Sequence, residues 1–165
     1  MAKKLAARQD PSWIVVFKSP DSCKTPPSMA TVPYPVTAQL VSSMAKVPTV
    51  LLNMMPAVVF DQSFCPMTIG DQPGVGLGVK SNIVMGLCSP KEKSGTVNIG
   101  GKPMVRQDDA FWMNGKAIGE GNTTGTVQCM APPLDVPAVG ANPPLLPETP
   151  AERAVCAMAV AGSPI

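Results

Sequence analysis

The chain has 165 residues, 45% hydrophobic and 15% charged, with a formal net charge of +2 and no histidine. That apolar content excludes a disordered chain, and the small charge offers no basic stripe for nucleic acid. The missing histidine removes His-based triads, His general bases and His zinc ligands together.

Twenty prolines and 14 glycines make up about a fifth of the chain, against a usual share of roughly 12%. Proline removes a backbone donor and glycine breaks regular elements, so many short strands between turns are expected. The length allows one compact domain with a tail. Eleven methionines against four Phe, two Trp and one Tyr suggest a core or contact surface of flexible side chains.

Residues 1–12 read as a loose leader, with Lys3, Lys4 and Arg8 on a solvated end. The leader has no apolar h-region and so does not read as a secretory signal. No stretch approaches the roughly eighteen apolar residues of a membrane span. Without a signal, the five cysteines are expected as reduced thiols.

Trp13–Phe17 (WIVVF) is a first strand candidate. In the next segment, DSCKTPPSMATVPYPV, Pro26, Pro27, Pro33 and Pro35 forbid helix, so an extended arm along the sheet is expected. Residues 37–46 place Leu40, Val41 and Met44 on one helical face, which predicts a short helical turn.

A duplicated phrase follows. Residues 49–61 (TVLLNMMPAVVFD) and 96–108 (TVNIGGKPMVRQD) align without a gap. They share Thr49/Thr96, Val50/Val97, Pro56/Pro103, Val58/Val105 and Asp61/Asp108. A short apolar run, a turn, a proline and a second run predict a repeated β-hairpin.

Between the copies, Gly70, Gly74, Gly76 and Gly78 mark a turn cluster. Its GVGLGVKS string lacks the contiguous Gly-Lys-Ser/Thr of a phosphate loop. SNIVMGL is a further strand candidate, and Asn114-Gly115 predicts a tight hairpin turn. Asn122-Thr123-Thr124 matches a glycosylation acceptor and, without a secretory signal, reads as a surface loop. Asp108 and Asp109 would point to opposite faces of a strand, so a solvated turn or a local backbone bond is expected rather than an acid pair.

From residue 131 the chain becomes a Pro-rich linker. Thr149 as N-cap, Pro150 at N1, Glu152 and Gly162 then predict a short helix over about 150–161. The expected domains are 1–130 and a 131–165 extension that either grips a partner or straps back onto its own domain.

Cys23, then Pro26/Pro27 and Val32-Pro33-Tyr34-Pro35, then the Gly-Gly-Lys-Pro unit within Val97–Asp108, in that order, resemble the PAAR-like family. Those proteins cap the spikes of type VI secretion systems and related contractile injection machines. The resemblance covers roughly residues 20–130. It implies a mainly β fold, a small cone of short β-hairpins whose base sits on a trimeric, VgrG-like spike. It implies a non-enzymatic tip that recruits or carries an effector or adaptor, with residues 131–165 as a candidate grip. It further implies residence in the bacterial cytoplasm followed by export through the apparatus, without nucleic acid and without stable membrane insertion. Without the resemblance, the same strands read as a small β-sandwich or barrel.

Many tips of this family hold a metal with several His and one Cys, and this chain has no His. Cys23, Cys65, Cys88 and Cys129 each sit in a loop-like context. Converging at one point, they would form a tetrahedral thiolate site for one zinc ion. No CxxC pair is present, and the competing reading is buried thiols acting as small hydrophobes. The alternative function is a small metal-binding or redox protein. An enzyme is the weakest reading, since no nucleophile–base or carboxylate cluster stands out.

Overall fold

The computed structural model describes residues 4–130. The expected helix at 150–161 and the rest of the extension lie outside the described residues.

The protein is mainly β, built on a curled half-barrel sheet. Among the described residues the eleven short strands are β1 (Trp13–Phe17), β2 (Asp21–Thr25), β3 (Ala30–Tyr34), β4 (Thr37–Gln39), β5 (Val47–Leu52), β6 (Met55–Ala57), β7 (Leu87–Pro90), β8 (Asn98–Ile99), β9 (Lys102–Pro103), β10 (Ala110–Gly115) and β11 (Thr123–Cys129). The main sheet has the order β4-β1-β11-β10-β7, with every neighbouring pair antiparallel. Three two-stranded hairpins, β2-β3, β5-β6 and β8-β9, complete the strand set.

The sheet buries one face because its apolar residues alternate. Trp13 and Val15 of β1, Phe111 and Met113 of β10 and Val127 of β11 lie in one core with Val36, Ala38 and Leu40. Gly125 stands opposite both Phe17 and Phe111. A Cβ there would fall 2.5 Å from the Met113 sulfur, so only glycine leaves room for these side chains.

The sequence repeat is a structural repeat. Leu52 pairs with Met55 and Leu51 with Pro56; the equivalent residues pair as Ile99 with Lys102 and Asn98 with Pro103. Each turn needs two residues at positive φ, the geometry of the type I′ hairpin. Gly100 and Gly101 supply it without strain, at 58° and 79°, whereas Asn53 and Met54 adopt it at 50° and 65°. Asp61 and Asp108 also share positive φ, at 57° and 64°. Ala57 and Val59 of the first copy, with Val47 just before it, pack on Ile99 of the second.

The leader expectation is corrected. Ala7 is fully buried, and its backbone joins the two copies at equivalent positions. The Val58 N–H donates to the Ala7 carbonyl, and the Ala7 N–H donates to the Val105 carbonyl. Gln9 N–H donates to Pro56 and Gln107 N–H donates to Leu5. Arg8 is not a solvated charge: its guanidinium pairs with Asp10 at 3.0 Å and lies 5.5 Å from the Trp13 ring centre. Two hairpins with unpaired strand edges need a third strand between them, and the leader supplies it.

Other expectations change in detail. The arm at 21–36 is the β2-β3 hairpin, its prolines tolerated because the pair stands apart from the main sheet. Residues 37–46 form β4 and one 3-10 turn, Leu40–Ser42. In SNIVMGL only Leu87 enters a strand; Asn82 and Met85 take positive φ and turn the chain. Asn114-Gly115 closes no two-residue turn, because both residues belong to β10 and the connection to β11 runs through 116–122. Asp109 makes the expected local bond, accepting from the Arg106 N–H at 2.9 Å.

One segment joins the two edges of the main sheet. Ile69 exchanges backbone hydrogen bonds with Thr37 of edge strand β4, both at 2.8 Å. Phe64 pairs with Met44. Cys65 pairs with Cys88 of the opposite edge strand, β7, and Thr68 N–H donates to Gly86. Residues 64–69 thus act as a strap across the half-barrel.

Candidate functional site

In β2, residues two apart share a face, so Asp21 and Cys23 both point inward and are fully buried. The turn-rich segment after Gly70 lies flat on this strand: Gly76 N–H donates to Lys24, and Lys24 N–H donates to Leu77. A Cβ on Gly74 would fall 2.4 Å from the Cys23 Cβ, and one on Gly76 would fall 2.6 Å from the Lys24 carbonyl. The glycines are therefore a docking face for β2, and their close approach carries Asp71 into the interior.

Asp21, Cys23, Asp71 and Asn114 meet there, all fully buried. The Asn114 carbonyl oxygen accepts from the Gly86 N–H at 2.7 Å. That fixes which way the amide points, so its Nδ2 hydrogens face the carboxylates and donate to Oδ2 of Asp21 and, at 2.7 Å, to Oδ2 of Asp71. Asn122 is oriented by the same logic. Its Oδ1 accepts from the Lys80 and Ser81 N–H groups at 2.7 and 3.1 Å, and its Nδ2 donates to Oδ1 of Asp21. The Cys23 thiol donates to Asp21 Oδ2 at 3.2 Å, and Met85 N–H donates to Asp71 Oδ2 at 3.1 Å.

These bonds tie β2, β10, the start of β11 and both turns of the 70–86 segment at one point. Asn114 holds φ 59° at an irregularity in the β10-β7 register, a left-handed backbone that Asn tolerates. The Asn122 sequon is no surface loop: the residue is 7% exposed, with its amide inside the cluster.

Burial pushes the Asp71 carboxyl above the ordinary carboxylate range. The Met85 N–H and the Asn114 amide pull it down, while the Asp21 charge adds to the rise. Burial and the bond to Asp21 raise the Cys23 thiol to about 12, so at neutral pH it is a proton donor and not a nucleophile. Beside the cluster, a cleft of about 380 Å³ is lined by residues including Ser22, Thr31, Lys80, Trp112 and Thr124.

The four cysteines do not converge, which corrects the expected four-thiol site. Cys23 lies with the two aspartates. Cys65 and Cys88 face each other between the strap and β7. Cys129, at the end of β11, has its sulfur 3.9 Å from the Ser12 hydroxyl. The physical reason is that the three locations belong to different strand pairs, and only Cys65, Cys88 and Cys129 border the main core, so no loops gather the four at a point. Among the described residues, the group of three ligand-type side chains close enough to hold a metal ion is Asp21, Cys23 and Asp71, with donor atoms within 4.8 Å of one another. The D-x-C spacing of a strand is the signal that would place Asp21 beside Cys23; Asp71 carried no local signal, and the Asn-Gly and Asn-x-Thr signals of Asn114 and Asn122 pointed to a turn and a surface loop instead.

The donor set fits a cation in one respect: Asp71 Oδ1 is buried without a partner. Both Asp21 oxygens, by contrast, already accept hydrogen bonds.

These features define a small antiparallel β module with a duplicated hairpin and a buried carboxylate–amide knot. Residues 14–120 match the family described as the Toxin PAAR-like domain, and the chain belongs to that family. No curated protein and no solved structure matches it. Among the described residues, no helix is long and apolar enough to cross a membrane.

Proposed function

We propose that this chain is the non-enzymatic tip of a type VI or related contractile-injection spike, seated on the blunt end of a VgrG-like trimer and recruiting or carrying an effector. The match of residues 14–120 to the Toxin PAAR-like domain carries this reading. Two features of the chain support it. Its ionisable cluster is held by hydrogen bonds from fixed amides, as suits a stiff part more than a reaction centre. Its first repeat hairpin presents Leu51, Met54 and Met55 to solvent, with Met54 81% exposed, and flexible apolar side chains suit a contact surface. On this reading the chain is made in the bacterial cytoplasm and leaves through the apparatus.

The test is co-purification with the trimeric spike protein encoded beside it. The chain should elute with the trimer, and should still do so after deletion of residues 131–165, while effector capture is lost. Failure to bind the trimer overturns the tip reading. Unchanged effector delivery without 131–165 overturns the grip.

A second reading, a small metal-binding protein, is favoured by the unpartnered Asp71 Oδ1. Asp21, Cys23 and Asp71 would hold the ion, and zinc would supply positive charge to two buried carboxylates and a thiolate. Metal analysis of fresh, reduced protein decides it. About one zinc per chain, lost in Cys23→Ser, is the expected result on this reading. Zinc near zero removes it and leaves hydrogen bonds from Asn114, Asn122, Cys23 and Met85 as the counterweight to the carboxylates.

A further inference from the structure

We propose that Cys65 and Cys88 are a built disulfide site, held as a dithiol in this structure and closed by a disulfide-class oxidant. The two residues face each other directly. Cys65 N–H donates to the Cys88 carbonyl at 2.8 Å, and Cys88 N–H donates to the Cys65 carbonyl at 3.0 Å. A pair that exchanges both backbone bonds has its Cα atoms roughly 5.5 Å apart, inside the roughly 4.4–6.8 Å span that a disulfide bridges. Directly opposed residues send their side chains to the same face, and both thiols lie in the main core.

Burial holds the Cys88 thiol well above the ordinary thiol range, and the neighbouring Cys65 thiol adds to the rise; the Cys65 thiol itself donates to the Gln39 carbonyl at 3.5 Å. Cys23 and Cys129 are differently placed, bonded to Asp21 and near Ser12. Selectivity for one pair therefore follows from position.

The chemistry balances with oxidised glutathione as the reagent. One cysteine thiolate attacks a glutathione sulfur, the glutathione disulfide breaks, and the departing thiolate takes up a proton. The second cysteine thiolate attacks the protein sulfur of the mixed disulfide and releases the other glutathione. The pair gives up two electrons and two protons, and the reagent takes both.

Access sets the rate. Cys65 is 1% exposed and Cys88 fully buried, and a protonated, buried thiol is a slow nucleophile. Closure proceeds when the strap opens or when the chain refolds. The bond would then fix the strap to β7 and hold both sheet edges together. This inference stands on the strand pairing alone and does not depend on spike docking.

The full chain is refolded from denaturant with reduced and oxidised glutathione, and compared with protein kept in reductant. Peptide mapping should find Cys65 linked to Cys88. The linked form should melt roughly 10 °C higher, as expected for a closed loop of some twenty residues. Folded native protein should react far more slowly than refolding protein. The double variant Cys65→Ala/Cys88→Ala should lose the shift, whereas Cys23→Ser and Cys129→Ser should keep the link. Mapping that finds both thiols free, or either joined to another cysteine, overturns the proposal, as does a linked form that melts no higher; mapping uses the unmodified chain, so it decides even if the variants fail to fold.

Discussion

Asn114→Ala should destabilise the protein by about 4 kcal/mol, a large share of the roughly 5–15 kcal/mol that holds a domain together. The side chain is fully buried and has no substitute. Its loss strands the Gly86 N–H and strips one donor from each of two buried carboxylates. Leaving a buried charge without its partner costs far more than an ordinary hydrogen bond contributes. The backbone adds a smaller amount, because alanine tolerates φ near 59° less well than asparagine does. Asn114→Gly separates the two effects: it relieves the backbone and still loses the amide, so it should recover only about 1 kcal/mol relative to alanine. Urea unfolding of the three proteins measures both differences. A loss below about 1 kcal/mol in Asn114→Ala would show that the knot does not hold the fold.

Ala7→Asp should cost a similar amount, about 4 kcal/mol, while Lys4→Asp three residues earlier should stay within about 0.5 kcal/mol. Lys4 is exposed, whereas Ala7 is fully buried between the two hairpin copies. A carboxylate there would sit beside Val58 and Val105. A buried charge without a partner carries a desolvation cost of several kcal/mol. A loose leader would show no difference between the two substitutions. Thermal melts of the pair decide it: equal midpoints would mean that residues 5–9 do not join the copies.

These two sites also show what the sequence made legible. The repeat was readable because equivalent residues do equivalent work: Pro56 and Pro103 occupy the same ladder position, and Val58 and Val105 bond the same alanine. β1 was readable from its β-branched run. The role of Ala7 was not, because nothing local distinguishes a strand completed by distant hairpins from a charged, frayed end. Asn114 misled for a related reason. Its left-handed backbone was foreseeable from Asn-Gly, but the same φ here serves a register irregularity and aims an amide at Asp21 and Asp71. The cysteine pairing likewise depends on a strap that meets β7 only after the sheet has curled. Local pattern announces hairpins; it does not announce which residues will converge across the core.

The pairing of β1 with β11 has a consequence for how the chain is made. Trp13 finds its partner at Cys129, so the central ladder cannot form until nearly the whole domain has been synthesised. At ordinary ribosome speeds that is a wait on the order of ten seconds. Contacts so distant in sequence also close slowly. Through that interval β1 has only the short strand β4 to pair with, and the other edge of the WIVVF run stays open, a natural target for chaperones that recognise exposed apolar strands in nascent chains.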